Sequence, residues 1–290
     1  MHTGDILDYV GMTFDFAARP GSVEVTMKQI TSEILEGGGV TTAKATPATA
    51  TLFDVRESSP KLTRADHDFF KSYVPKILYV AKRVRPEVLT AIAFLTTRVQ
   101  CSDQDDLGKL KRVIGYLYGC PDRGICLTIG DDGVKVVSHI DAAYGVHTES
   151  GKSHTGCTVS LGLGPIYVKS AKQKIVTKSS TEAELVGLSD TASQAMYIRN
   201  FVEAQGYTTG PVTMYQDNMS CLALVKRGGP CSERSRHISI RRFWMKERVD
   251  GSELVMEHKP TEDMFVNALT KPVQGRQFLK ERQGLTNWDR

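Results

Sequence analysis

The chain has 290 residues, of which 40% are hydrophobic and 24% charged, with a net charge of +4. That composition belongs to an ordinary globular protein with material for one large core or two modest ones, and it excludes disordered and membrane classes. So mild a positive charge permits a polyanionic partner without demanding one. No apolar run reaches the length of a membrane span. The opening stretch "MHTGDILDYVGMTF" lacks the basic flank and apolar core of a signal peptide, so an intracellular setting is expected, cytoplasm and nucleus not being distinguished. The cysteines Cys101, Cys120, Cys126, Cys157, Cys221 and Cys231 form no C-x-x-C pair and have no histidine at metal spacing. They read as reduced thiols.

From residue 9 to 30 apolar and polar residues alternate on both sides of "RPG", the pattern of a hairpin turning at Pro20 and Gly21. A short helix over "TSEILE" ends at three glycines, and residues 40–60, rich in Thr, Ala and Pro, read as a flexible connector. Helical periodicity follows in "KSYVPKILYVAKRV", "RPEVLTAIAFLTTRVQ" and "DQDDLGKLKRVIGYLYG". Beyond it, runs of Val, Ile and Thr between residues 134 and 178 predict strands, followed by a long helix from about 180 to 205. The strand "VTMYQD", helices near Asn218 and over "RRFWMKERV", a strand "SELVMEH" and a last helix after Pro260 complete the chain. This order predicts a mixed-sheet α/β domain behind a mostly helical first part.

The start of the long helix, "TKSSTEAELVGLSD", holds two candidate capping boxes, Ser179 with Glu182 and Thr181 with Glu184. One box satisfies a helix end. At about 100° per residue Glu184 falls nearer than Glu182 to the stripe of Leu185, Leu188, Ala192, Ala195 and Met196. A carboxylate at a core edge is costly unless something positive meets it. Asp141 and Asp217 both stand at strand ends, where each by itself reads as a helix cap or a turn residue. Taken in order, however, Asp141, Glu184 and Asp217 form a set of three acids at strand and helix ends. Such a set can hold two divalent cations about 4 Å apart, the arrangement used for in-line displacement at phosphorus.

The stretches "HIDAAYG", "SAKQKIVTKSSTEAELVGLSD", "MYQDNMSCLALV", "RHISIRRFWMKE" and "HKPTEDMFVNALTKP" together resemble the ribonuclease H region of copia-type LTR retrotransposon polyproteins. Upstream, "YVGMTFDF", "YVPKILYVAKRVRPEVLTAIAFL" and "LKRVIGYLYG" resemble the end of the reverse transcriptase of the same polyproteins, with its primer-grip hairpin, thumb and connection helices. The resemblance implies an RNase H-like mixed five-stranded sheet with flanking helices over residues 126–290. Residues 1–125 would be a reverse-transcriptase remnant, a β-hairpin followed by mostly helical thumb and connection segments. It also implies catalytic and metal-binding roles for Asp141, Glu184 and Asp217, two Mg2+ or Mn2+ ions, and an RNA-DNA hybrid as substrate. Other segments of a longer polyprotein would be partners, and a membrane would not. The polymerase's paired aspartates precede the primer-grip hairpin in the family and are not in this chain. Asp105-Asp106 and Asp131-Asp132 read instead as a helix start and a turn. The family's fourth catalytic acid falls on Asn267, whose amide oxygen can ligate a cation but brings no charge. On a helix after Pro260, Asp263 would lie one turn before Asn267 and could partly supply that charge.

Between Ser150 and Thr181 there is no acid, while Lys169, Lys172, Lys174 and Lys178 stand with Lys152 as cations able to follow a phosphate backbone, or simply to blunt a solvated edge. Arg234, Arg236 and His237 with Arg241 and Arg242 make a second basic cluster, placed at a helix start where a ligand phosphate is a reason for cations. Phe243 and Trp244 read as core residues. The leading expectation is therefore a hybrid-cleaving nuclease without polymerase activity. Its rival is a nucleic-acid-binding remnant whose chemistry went with the fourth acid. An integrase-like transferase is disfavoured by the order Asp, Glu, Asp.

Overall fold

The computed structural model describes residues 4–131, 133–228 and 236–289, the side chains of Arg236 and His237 excepted. The chain divides into two compact units, one of residues 1–128 with 271–290 and the other of residues 129–270.

In the first unit the strands β1 (Ile6–Tyr9), β2 (Met12–Asp15), β3 (Ser22–Thr26) and β4 (Ile125–Thr128) form an antiparallel sheet in that order. The expected hairpin is the β2–β3 pair, which sets Phe14 opposite Val25. A second, tighter hairpin joins β1 to β2 through Val10 and Gly11, both at positive φ. The helices α1 (Lys28–Gly38), α2 (Arg64–Ala81), α3 (Leu89–Arg98) and α4 (Gln104–Tyr118) bury Ile34, Phe70, Ile77, Ile92 and Leu110. Residues 40–60 contain no helix or strand, yet they are not loosely attached. Leu52 and Phe53 are buried, Phe53 sets its ring edge-on to Phe94 at 5.6 Å, and the Lys44 amide donates to the Gly115 carbonyl at 3.1 Å. A Cβ on Gly115 would come within 2.8 Å of the Thr42 carbonyl oxygen, so only glycine lets this segment lie against α4.

The division at residue 126 drawn from the sequence differs from the observed one at the C-terminus. Helix α8 (Gly275–Thr286) belongs to the first unit, where Phe278 meets Tyr116 at 5.6 Å and the Asn287 side chain donates to the Cys126 carbonyl at 3.0 Å. The sequence predicts a last helix but not the surface it covers.

The second unit is a mixed five-stranded sheet of β5 (Val137–His147), β6 (Lys152–Ser160), β7 (Pro165–Lys172), β8 (Val212–Gln216) and β9 (Leu254–His258), in the order β7-β6-β5-β8-β9. The first three strands are antiparallel, and β8 and β9 run parallel to β5. Parallel strands need crossovers, supplied here by α5 (Ser180–Ala204) before β8 and by α6 (Met219–Arg227) and α7 (Arg236–Asp250) before β9. Ile140, Cys157, Leu185, Leu188, Ala192 and Met214 form the heart of its core. The last helix predicted after Pro260 does not start there but only at Gly275, as α8. Two 3-10 turns, Thr261–Asp263 and Phe265–Leu269, stand there instead, separated by Met264 at ψ 86°, so Asp263 and Asn267 share no helix face. Among the described residues the five cysteines are free thiols, Cys231 lying outside them, and no helix is long and apolar enough to cross a membrane.

Candidate active site

Three neighbouring elements deliver the acids. Asp141 comes from the central strand β5, Glu184 from the first turns of α5, and Asp217 from the residue after β8. One carboxylate oxygen of each lies within 4.8 Å of the others. Asp141 and Glu184 are 2% and 5% exposed, and Asp217 is half-buried.

Local hydrogen bonds explain how so crowded a group is held. Ser179 caps α5 by accepting from the Glu182 amide at 3.2 Å, and the Glu182 carboxylate accepts from the Lys178 amide at 2.7 Å. Capping is complete without Glu184, so the second box expected from the sequence is not needed. Glu184 turns inward and accepts from Gln216 Nε2 at 3.0 Å. The Gln216 amide cannot be flipped, because its Oε1 receives the backbone N–H groups of Asp217 and Asn218 at 2.8 and 3.1 Å. Thr261 Oγ1 donates to Asp217 at 2.8 Å, and Thr270 Oγ1 donates to Asp141. Gly156, opposite Asp141 on β6, makes room for this turn, since a Cβ there would meet Leu269 at 2.6 Å. Burial, then the charge of Asp141 and that of Asp217, push the Glu184 carboxyl up to about 9, against the opposing pull of Gln216 and the Ala142 amide.

Asn267 lies in the turn that carries Thr270, and its backbone carbonyl is also in reach of the Thr270 hydroxyl at 3.1 Å. Its Nδ2 donates to the Thr261 and Met264 carbonyls at 3.1 and 2.7 Å, which fixes the amide's orientation. Its Oδ1 is buried and, among the described residues, has no hydrogen-bond partner. An orphaned buried acceptor is costly. Three carboxylates beside a turn holding a neutral, unpartnered amide oxygen are a donor set that suits a hard divalent cation. Gln216, Thr261 and Thr270 were missed in the sequence. Their one advance signal was position, beside Asp217, within "HKPTED" and within "NALTK".

The basic residues are placed less as expected. Lys169 and Lys172 are an odd number of positions apart on β7 and leave opposite faces of the sheet, Lys169 on the side of Cys157 and Lys172 on that of His154. They do not line one phosphate-tracking edge. Lys169 approaches Asp190 of α5 at 4.0 Å, and Arg241 of α7 is paired with the same carboxylate. Lys172 helps hold the buried His147 imidazole down to about 4, burial being the larger cause. Lys174 and Lys178 are exposed beyond the end of β7. The side chain of Arg236, like all of Arg234, lies outside the described residues. Trp244 packs on the core as expected, but Phe243 is 50% exposed. Asp105 and Asp106 are structural, Asp106 completing a capping box with Asp103 and Asp105 pairing with Lys109 at 2.8 Å.

A sheet of three antiparallel strands continued by two parallel ones, with convergent acids on its central strands and the adjoining helix, defines an RNase H-like domain. No protein-family model matches the chain. The Retrovirus-related Pol polyprotein from transposon RE2 of Arabidopsis thaliana is 30% identical over 258 residues, 88% of this chain and 17% of that polyprotein. Its counterpart from transposon TNT 1-94 of Nicotiana tabacum is 26% identical over 218 residues, 74% of this chain and 16% of that one. The chain belongs to these copia-type Pol polyproteins and spans less than a fifth of the length of the curated relatives it matches. LC11-RNase H1, isolated from compost, overlaps 47% of this chain and 91% of its own at 14% identity with a TM-score of 0.35. The fold class rests on the strand order rather than on that slight overlap.

Proposed function

We propose that the second unit is a ribonuclease H that cleaves the RNA strand of RNA-DNA hybrids, using divalent cations held by Asp141, Glu184 and Asp217. The observation that carries this reading is the convergence of three carboxylates within 4.8 Å with Glu184 held far above its usual range. When bound, two such ions activate water and stabilise the departing oxygen in phosphodiester cleavage. The chain's own residues prepare for this. Gln216 aims Glu184, Thr270 and Thr261 orient Asp141 and Asp217, and the hydrogen bonds of Asn267 fix the turn that carries Thr270. Burial and the neighbouring charges of Asp141 and Asp217 favour a retained proton in the metal-free site, and a cation would take that proton's place. RNA in a hybrid is the substrate class implied by the family.

A second reading, a nucleic-acid-binding remnant without catalysis, draws on Asn267, which supplies no charge at the fourth position. Cleavage of an end-labelled hybrid in Mg2+ or Mn2+ decides between them. The nuclease reading expects internal cuts in the RNA strand, stronger with Mn2+ because Mg2+ demands near-ideal octahedral geometry, and none after Asp141→Asn. Binding of the hybrid without cleavage in either metal supports the remnant.

A further inference from the structure

We propose that His147, His154 and Ser170 are positioning residues for the carboxylate site, a buried hydrogen-bonded chain that reaches Asp141 through the peptide group joining Leu269 to Thr270. His154 of β6 and Ser170 of β7 lie on the sheet face covered by the turn Phe265–Leu269, beside Gly156, which pairs with both Asp141 and Ser170. His147 Nε2 stands 3.0 Å from His154 Nδ1, and His154 Nε2 stands 2.7 Å from Ser170 Oγ. Ser170 donates to the Leu269 carbonyl at 2.7 Å. All three side chains are buried, His154 completely. The carbonyl at the end of the chain fixes the proton at every link. A carbonyl only accepts, so the Ser170 proton goes to Leu269 and the hydroxyl must accept from His154 Nε2–H. His154 Nδ1 is then a bare lone pair, which takes the Nε2–H of His147. A second proton on His154 would set two donors face to face. Burial, then Lys172 for His147 and His147 for His154, holds the rings down to about 4 and about 3, in keeping with two neutral imidazoles that both carry their proton on Nε2.

What the chain grips is the peptide that aims Thr270. The Leu269 oxygen and the Thr270 nitrogen belong to one planar group. It is held at both ends, by Ser170 at the oxygen and by the Asn267 carbonyl, which accepts from the Thr270 amide at 3.0 Å. Thr270 is fully buried, and its hydroxyl donates to Asp141. Tilting that peptide swings the hydroxyl away from the carboxylate, so side chains of β6 and β7 that do not touch Asp141 set its aim. A fully satisfied buried network rigidifies what it touches, and losing one member leaves the others costly and unpaired. Filling space on this face of the sheet would need only apolar residues, not a directed chain that ends on this one carbonyl.

The positioning role rests on the nuclease reading, but its test does not depend on cleavage alone. Long-range nitrogen–proton NMR spectra of the metal-free full chain at pH 7.5 should show both rings with the proton on Nε2, and a proton on Nδ1 of His154 would overturn the chain. Calorimetric titration with Mn2+ then compares the parent with Ser170→Ala, Thr270→Val and the double variant, each checked for folding by circular dichroism. Ser170→Ala should weaken Mn2+ about tenfold, the scale of losing a group that orients a metal ligand. Because Ser170 acts through Thr270, the double variant should bind no more weakly than Thr270→Val alone. His154→Leu should resemble Ser170→Ala, whereas His154→Gln, whose amide can still donate to Ser170, should recover most of the loss. In hybrid cleavage Ser170→Ala should lower kcat and leave KM unchanged. Parental Mn2+ affinity in folded Ser170→Ala, or losses that simply add in the double variant, would reduce the chain to packing and overturn the proposal while the nuclease reading stands. A parent that binds no Mn2+ would remove the nuclease reading and the positioning role together.

Discussion

Both units bury acids, but they treat them differently. In the first, Glu87 is fully buried against Arg85 at 2.8 Å, and Asp106 meets Arg98 at 3.0 Å, with Asp103 at 3.6 Å from the same guanidinium. In the second, Asp141, Glu184 and Asp217 take hydrogen bonds from neutral donors, Thr270, Gln216 and Thr261, and Glu184 feels two like charges. An acid matched by an arginine is part of a scaffold. Three acids crowded together raise one another's proton affinity, a cost that the fold maintains and that a divalent cation relieves.

Each way of breaking this contrast has its own expected outcome. Asp141→Asn should lower hybrid cleavage on the order of 10³-fold, as expected for loss of a central electrostatic group, with an unchanged circular dichroism spectrum. Arg85→Met should destabilise the protein by about 3–5 kcal/mol, read in denaturant unfolding, because Glu87 is left buried and uncompensated. Glu184→Gln should do the reverse in metal-free protein. The Glu184 carboxyl, normally near 4.5, is held to about 9 in the folded state. Between those values the folded chain keeps a proton that the unfolded chain has released, so stability falls as pH rises through that window. The variant should therefore melt higher than the parent, by a margin that grows from about pH 5 to about pH 8.

Asn267→Asp sharpens the contrast at the fourth position. The sequence alone suggests that restoring the acid raises activity. The structure shows that the amide's Nδ2 secures two carbonyls, which a carboxylate would repel. The variant should lose about 1–3 kcal/mol of stability, and cleavage should not rise. The smallest effects are expected at the lysines. Lys172→Ala and Lys174→Ala should each flatten the salt dependence of hybrid binding by at most about 0.9, and Lys169→Ala by less, because that ammonium faces Asp190.

The cluster of three acids was legible because their order at strand and helix ends and the family resemblance both pick them out, and a helical wheel already set Glu184 near the core's edge. Its supports were not. Gln216 and Thr270 act through a specific rotamer and a tertiary turn, which periodicity does not encode. The segment after Pro260 combines helix-compatible residues with a break at Met264 that only tertiary packing imposes. The destination of α8 was hidden for a similar reason, since an apolar stripe fixes which face is buried but not the surface that buries it. The opposite faces of Lys169 and Lys172, by contrast, follow from strand alternation and were available in the sequence.

Whether the crowded carboxylates of Asp141, Glu184 and Asp217 bind a cation is decided by calorimetric titration of Mn2+ into the nucleic-acid-free protein near pH 7.5. Repeating the titration in two buffers of different ionisation enthalpy counts the protons released. Saturable binding with release of close to one proton is expected, and no such release from Glu184→Gln. Absence of binding, or equal binding after Asp141, Glu184 and Asp217 are all converted to amides, would contradict it.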